Sequence, residues 1–521
     1  CSDFLVEDPR TEISKEGVYN DPNTALGALK GCYASMASYD YFSFRYYHLL
    51  NETSGLGVSL KVNDKATTSL RLLSNDNDVE RVYAAFYSTI ESANDILGGM
   101  ASSTISSEAI RNRITGEAHF IRSVAYFNLV RLFGRVPLVE ESVESYAQAH
   151  IPREDVAKVY EFIESDLLKA FEQLPNPGDQ EVGRPHKYAA QALLAKVYLT
   201  QAHLEKSDEL IQKAYNAGKV VYDSKAYELT RPFSAQFGAT HKNTKESIFE
   251  IQFGALQGGS RITETTFVYG SELLPNAVAG NTWGKTRPTK SAFDLFQEQD
   301  PRRDATFIYG SYLNIHETLP RRKNVLLYPT PQGEKGLFYH KGDSEYAAFK
   351  KFVDPSFVTV SNCNFVYYRY PDLLLVLAEA ANDLGLTSEA VVYVNEVLDR
   401  ARDSDGDGVI TDSEVYPLAI ASTLGKSELS EIILTERLTE LAGEVDEWFT
   451  LRAAGLDVFT DYIKAHNAKL DMLYPDGNLP DFAYKYSEDE LDIKRNMLLP
   501  FPANEISRNN AIPEDDQNFG Y

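Results

Sequence analysis

Twelve residues in the last quarter of the chain, DSDGDGVITDSE from Asp403 to Glu414, have the types and spacing to hold a divalent cation. Asp403, Asp405 and Asp407 stand at positions 1, 3 and 5 of an EF-hand loop, Gly408 at 6, Ile410 at 8 and Glu414 at 12. Alternating carboxylates turn inward around one ion, and the glycine permits the sharp turn. The Val409 carbonyl is a further ligand, Thr411 acts directly or through water, and Glu414 closes the sphere with two oxygens. Hard oxygen donors in this number select calcium. The loop occurs once, whereas regulatory EF-hands come in pairs, so the expected role is structural: calcium pinning a loop.

Other chemistry is harder to find. There is no HExxH, no G-x-S-x-G and no P-loop, and the nine histidines are dispersed. A carboxylate pair for glycoside hydrolysis is defined by a spacing of about 5 Å in space, which no spacing in sequence reveals, so a hydrolase stays an alternative. A net charge of −25 repels phosphate and argues against a nucleic-acid partner. No run of about 18 apolar residues occurs, so nothing crosses a membrane as a helix.

Cys1, Cys32 and Cys363 are too scattered for a disulfide framework or a cysteine zinc site. Cys32 falls on the apolar face of a helix over 23–37 and reads as core. Cys1 precedes an acidic tether with Asp3, Glu7 and Asp8. A leading cysteine is what lipoprotein processing leaves, so acylation of Cys1 and a lipid anchor are expected; trimming of a longer chain is the alternative.

The elements that must position these residues are helical. In PHKYAAQALLAKVYLTQAHL, Ala190, Leu193, Leu194, Val197 and Tyr198 form one apolar face, and the small Ala189, Ala192 and Ala195 admit a close neighbour. That neighbour follows at once, with Gly218 read as its stop. Helix pairs are expected at about 108–174, 186–220, 370–402 and 427–452. Units of this size that cannot bury their faces alone point to an all-α, tetratricopeptide-like hairpin scaffold with long irregular loops and a few short strands. The whole chain, 1–521, reads as one domain, with a loop-rich lobe at about 222–365 that includes a short strand, SIFEIQF. Two loop regions stand out. One is an aromatic run, YDYFSFRYYHLL, followed by a polar segment to Asp78; the other holds Trp283 between Gly280 and Gly284. In each, facing a ligand and local packing are both open.

Several segments together resemble the SusD/RagB family of surface glycan-binding lipoproteins. They are Cys1 with its tether, GEAHFIRSVAYFNLVRLFGRVPLVEE, HKYAAQALLAKVYL, YRYPDLLLVLAEAAN, TERLTELAGEVDEWFTLR and the closing RNMLLPFPANEISRNN…NFGY. GEVDEW departs from the family's more usual basic residue before the tryptophan, and Trp448 reads as structural. The resemblance implies no catalysis, an outer-membrane position on the extracellular face, and delivery of oligosaccharides, or in some members peptides, to a SusC-like TonB-dependent transporter. By position it makes Asp40, Tyr41, Arg71, Asn75, Tyr269, Asn281 and Trp283 the candidate ligand residues, with sugar stacking on Trp283 or Tyr41. A scaffold that binds only protein is the rival from another class.

Overall fold

An apolar stripe on one helix has to be covered by another, and in this chain the cover is the next helix in sequence. The computed structural model describes residues 15–59, 69–254, 258–266, 274, 276, 286–297, 299–308, 348–479 and 484–521. Helix occupies 56% and strand 6%, which makes the chain mostly helical. The main helices are α1 (Pro22–Met36), α2 (Arg45–Thr53), α3 (Asn77–Ala101), α4 (Glu108–Phe133), α5 (Val156–Gln173), α6 (Lys187–Glu205) and α7 (Asp208–Ser224). After the loop-rich stretch come α8 (Tyr370–Asp383), α9 (Thr387–Arg402), α10 (Lys426–Glu440), α11 (Asp446–Ala453), α12 (Leu456–Leu473) and α13 (Glu490–Arg495). From α3 to α9 each helix packs on its successor, and α10 packs on α8, so the array is a stack of hairpins.

Small residues set the close approaches. Ala189, Ala190, Ala192 and Ala195 of α6 are all fully buried. Gly218 does not end α7, as its type suggests in sequence; the helix runs on to Ser224 and is closed by Lys225 in the left-handed region. A Cβ at Gly218 would lie 2.8 Å from Leu377 Cδ2, so the glycine is there to let α8 touch α7. The Tyr215 and Tyr222 hydroxyls donate to Glu389 and Glu396, seven residues apart on both helices, and tie α7 to α9.

The strands come in antiparallel pairs. Gly57–Ser59 pairs with Thr286–Pro288, and Ser247–Ile251 pairs with Phe365–Arg369 through a bulged register. A second, smaller core built from Leu70, Phe293, Phe349, Phe459, Ile463 and Tyr486 lies beneath the loop segments. α10 belongs to both cores, with Ile433 in one and Leu438 in the other. At that seam is a buried ion cluster. Arg369 reaches Glu246, Glu440 and Glu444, while Arg400 reaches Glu246 and Glu440. Arg302 pairs with Asp300, Glu436 and Glu440, and Lys351 with Glu444. Burial pushes the Glu440 carboxyl up, but Arg400, Arg369 and Arg302 outweigh it and hold it down at about 2.

Candidate functional site

The aromatic run after α1 folds inward. Tyr39–Ser43 forms a π-helical turn interrupted at Tyr41, whose φ of −111° and ψ of −124° are not helical. Tyr41 is 0% exposed, stacks on Phe42 at 4.0 Å, meets Phe86 edge-on and accepts a hydrogen bond from Asn128 at 3.3 Å. This corrects its assignment as a stacking surface: a ring with no free face cannot meet a sugar. Aromatic side chains here wedge α1, α3 and α4 together because the turn aims them at the core.

Asp40, the residue before, stays part-exposed. Arg45 Nε donates to its Oδ1 at 2.6 Å, Arg81 lies 3.8 Å from its Oδ2, and Arg45 also pairs with Asp78 at the start of α3. The Arg45 and Arg261 guanidinium groups lie 5.4 and 5.5 Å from the Tyr39 ring centroid, and Phe44 stacks on that ring at 4.8 Å. The result is a patch of alternating charge at the surface, able to give and accept hydrogen bonds.

Arg71 and Asn75 lie on the segment that leads into α3, and both are exposed. Its alternation explains why: Leu70 and Leu72 are buried while Arg71 and Leu73 point out, the pattern of extended chain over a core. Leu70 has a φ of 57°, a left-handed value that a leucine adopts only under constraint, and it turns the segment toward α12 and α13. Arg71 then lies at the mouth of a cavity of about 300 Å³. Its floor is Leu70, Ile463, Ile493 and Tyr486, and its polar groups include Ser487, Asp492 and Asn496. Among the described residues the Arg71 guanidinium has no ion pair, whereas Asp40 already has two. Arg45, Asp78, Arg81, Asp492 and Asn496 were missed in sequence because they come from three separate helices, α2, α3 and α13 with its C-cap, with no local motif to join them. Tyr269, Asn281, Trp283 and Cys1 lie outside the described residues.

The acidic loop follows α9 directly. Asp403, Asp405 and Glu414 each bring a carboxylate oxygen within 4.8 Å of the others. Gly406 and Gly408 adopt φ of 81° and 82°, which lets the backbone curl around those oxygens. Asp407 is not one of the three; its Oδ1 accepts from the Val409 N–H at 2.7 Å. Thr411 donates to Glu414 Oε2 from both its N–H and its hydroxyl, and Ser404 does the same to Oε1. The Thr411 and Ser404 N–H groups hold the Glu414 carboxyl down at about 2, so it is charged at any ordinary pH. The next helix, α10, begins only at Lys426, beyond Pro417. Asp403, Asp405 and Glu414 bring together the hard carboxylate oxygens that calcium takes, and because each Glu414 oxygen already accepts two donors, an ion there would displace Ser404 or Thr411 from it.

The described residues form a stack of helical hairpins with polar clefts on loop segments, and no described helix is long and apolar enough to cross a membrane. The chain belongs to the SusD family: that family's model matches residues 245–521, and a model described as "Starch-binding associating with outer membrane" matches residues 23–199. Family members are binding proteins without catalysis, which removes the hydrolase alternative. SusD-like protein P2 of Formosa agariphila is 27% identical over 99% of this chain and 96% of its own length. A SusD homolog of Bacteroides thetaiotaomicron superposes with a TM-score of 0.79 at 22% identity, covering 98% of this chain and 99% of that one. A solved laminarin-binding SusD-like protein superposes at 0.67 and 22% identity over 96% of this chain and 100% of that one.

Proposed function

We propose that the chain captures oligosaccharides at the outer membrane, on its loop-bearing side, and hands them to a SusC-like TonB-dependent transporter. Family membership and the laminarin-binding neighbour support the ligand class. The observation that carries the reading for this chain is Arg71, without an ion pair among the described residues, beside a cavity with an apolar floor and polar rim, which suits a ring with one apolar face and many hydroxyls. The test is a glycan array followed by calorimetry. Arg71→Ala should weaken binding about tenfold or more, the worth of a charge-assisted hydrogen bond. Binding of peptides with no glycan bound would replace this reading with peptide capture.

The loop at 403–414 is, in the same reading, a structural calcium site. Its support is the match of spacing to carboxylate clustering at Asp403, Asp405 and Glu414. Calcium at about 100 times its dissociation constant should stabilise the fold by about 2.7 kcal/mol. The double variant Asp403→Ala with Glu414→Ala should melt at the same temperature with calcium or with chelator; an equal calcium response in wild type and variant contradicts the site.

A further inference from the structure

Asp403 is the one acidic group of the loop that is fully buried, and a cation from outside the loop reaches it. Arg231 Nη1 donates to its Oδ2 at 2.7 Å, and the Gly408 N–H donates to the same oxygen at 3.0 Å. Among the described residues Oδ1 accepts only the Gly406 N–H, at 2.8 Å. A carboxylate oxygen has two lone pairs. Oδ2 is therefore filled, and one acceptor site remains, on Oδ1.

Arg231 is itself held. The Thr230 N–H donates to Glu246 at 2.8 Å, and Arg400 donates to the same carboxylate at 2.6 Å. A Cβ on Gly406 would lie 2.5 Å from Pro232 Cδ, so the loop backbone and the 230–232 strap are in direct contact. Beyond Pro232, the Phe233 ring lies 5.0 Å from the Arg400 guanidinium and 5.2 Å from Lys351 Nζ. The strap thus joins the acidic loop to the buried ion cluster at α10.

We propose that Arg231 is the positioning residue of the cation loop: it saturates Oδ2 of Asp403 and commits Oδ1 to the metal. This rests on the calcium reading above. A partner that orients a ligand from behind is worth ten- to a hundredfold in metal affinity.

The test is titration of the full chain, stripped with chelator, with calcium alone. Wild type should bind, Arg231→Ala should bind ten- to a hundredfold more weakly, and Arg231→Lys, which keeps a donor, should recover part of the loss. Circular dichroism shows whether each variant is folded; if Arg231→Ala is not, the comparison is made with Arg231→Gln. In wild type, calcium should also slow hydrogen exchange at 230–237, and in the variant it should not. Affinity unchanged in Arg231→Ala, or tighter because a competing cation has gone, overturns the proposal and leaves the calcium site standing. No binding by wild type overturns the calcium reading itself.

Discussion

Glu447 shows how far a single residue departs from what its type suggests. It sits in the first turn of α11, where Gly443 donates to Oε1 at 3.3 Å and Oε2 has no hydrogen-bond partner among the described residues. Burial pushes its carboxyl from 4.5 up to about 8, and Lys351 only partly opposes this. A raised folded value means that the fold favours the neutral acid. The stability it contributes is complete below about pH 4.5 and is lost as pH rises toward 8. Glu436, raised by burial to about 7, adds a loss of the same sign. Replacing Glu447 by Gln should leave melting at pH 5 nearly unchanged and raise stability at pH 8.5 by on the order of 3 kcal/mol, measured by denaturant titration at both pH values. Tyr41 makes the companion case. With its ring enclosed, Tyr41→Ala should cost about 3 kcal/mol or more of stability, and equilibrium unfolding will show this. Its burial was not legible in YDYFSFRYYHLL because a π-helical turn changes which side chains face inward, and no simple period announces one. The clustering of Asp403, Asp405 and Glu414 was legible for the opposite reason: these carboxylates come from one run of twelve residues, although Asp407, which the same spacing offers, accepts from the Val409 N–H and stays outside the cluster.

At the scale of elements, helices were legible wherever burial is one-sided. The α6 face reads directly from Ala190, Leu193, Leu194 and Val197. Gly218 misled because a glycine near the expected end of a helix serves either as a stop or as a contact, and only the position of Leu377 decides. The ion cluster around α10 was invisible, since its members come from 246, 302, 351, 369, 400 and 436–444. It is also where this element is most vulnerable. Arg400 bridges Glu246 and Glu440, so Arg400→Ala leaves two buried carboxylates short of a partner. The expected cost is about 3–5 kcal/mol, seen as a lower denaturant midpoint, whereas exposed pairs such as Lys245 with Glu228 should contribute almost nothing.

For the whole molecule, the division of labour between scaffold and loops makes the two proposed sites separable. The Arg71 cavity is lined by the segment leading into α3 and by α12, α13 and the chain before it. The cation loop instead touches the strap at 230–232 and the end of α9. They share no residue. Sites without shared partners behave additively to within about 0.5 kcal/mol. Arg71→Ala should therefore weaken oligosaccharide binding while leaving the calcium-induced rise in melting temperature as in wild type. The Asp403→Ala, Glu414→Ala variant should lose that rise and keep its oligosaccharide affinity within about twofold. Combining all three changes and measuring both quantities closes the cycle. An affinity for sugar that falls when calcium is removed would mean that the two sites are coupled, and the scaffold between them would then be part of the binding equilibrium rather than its support.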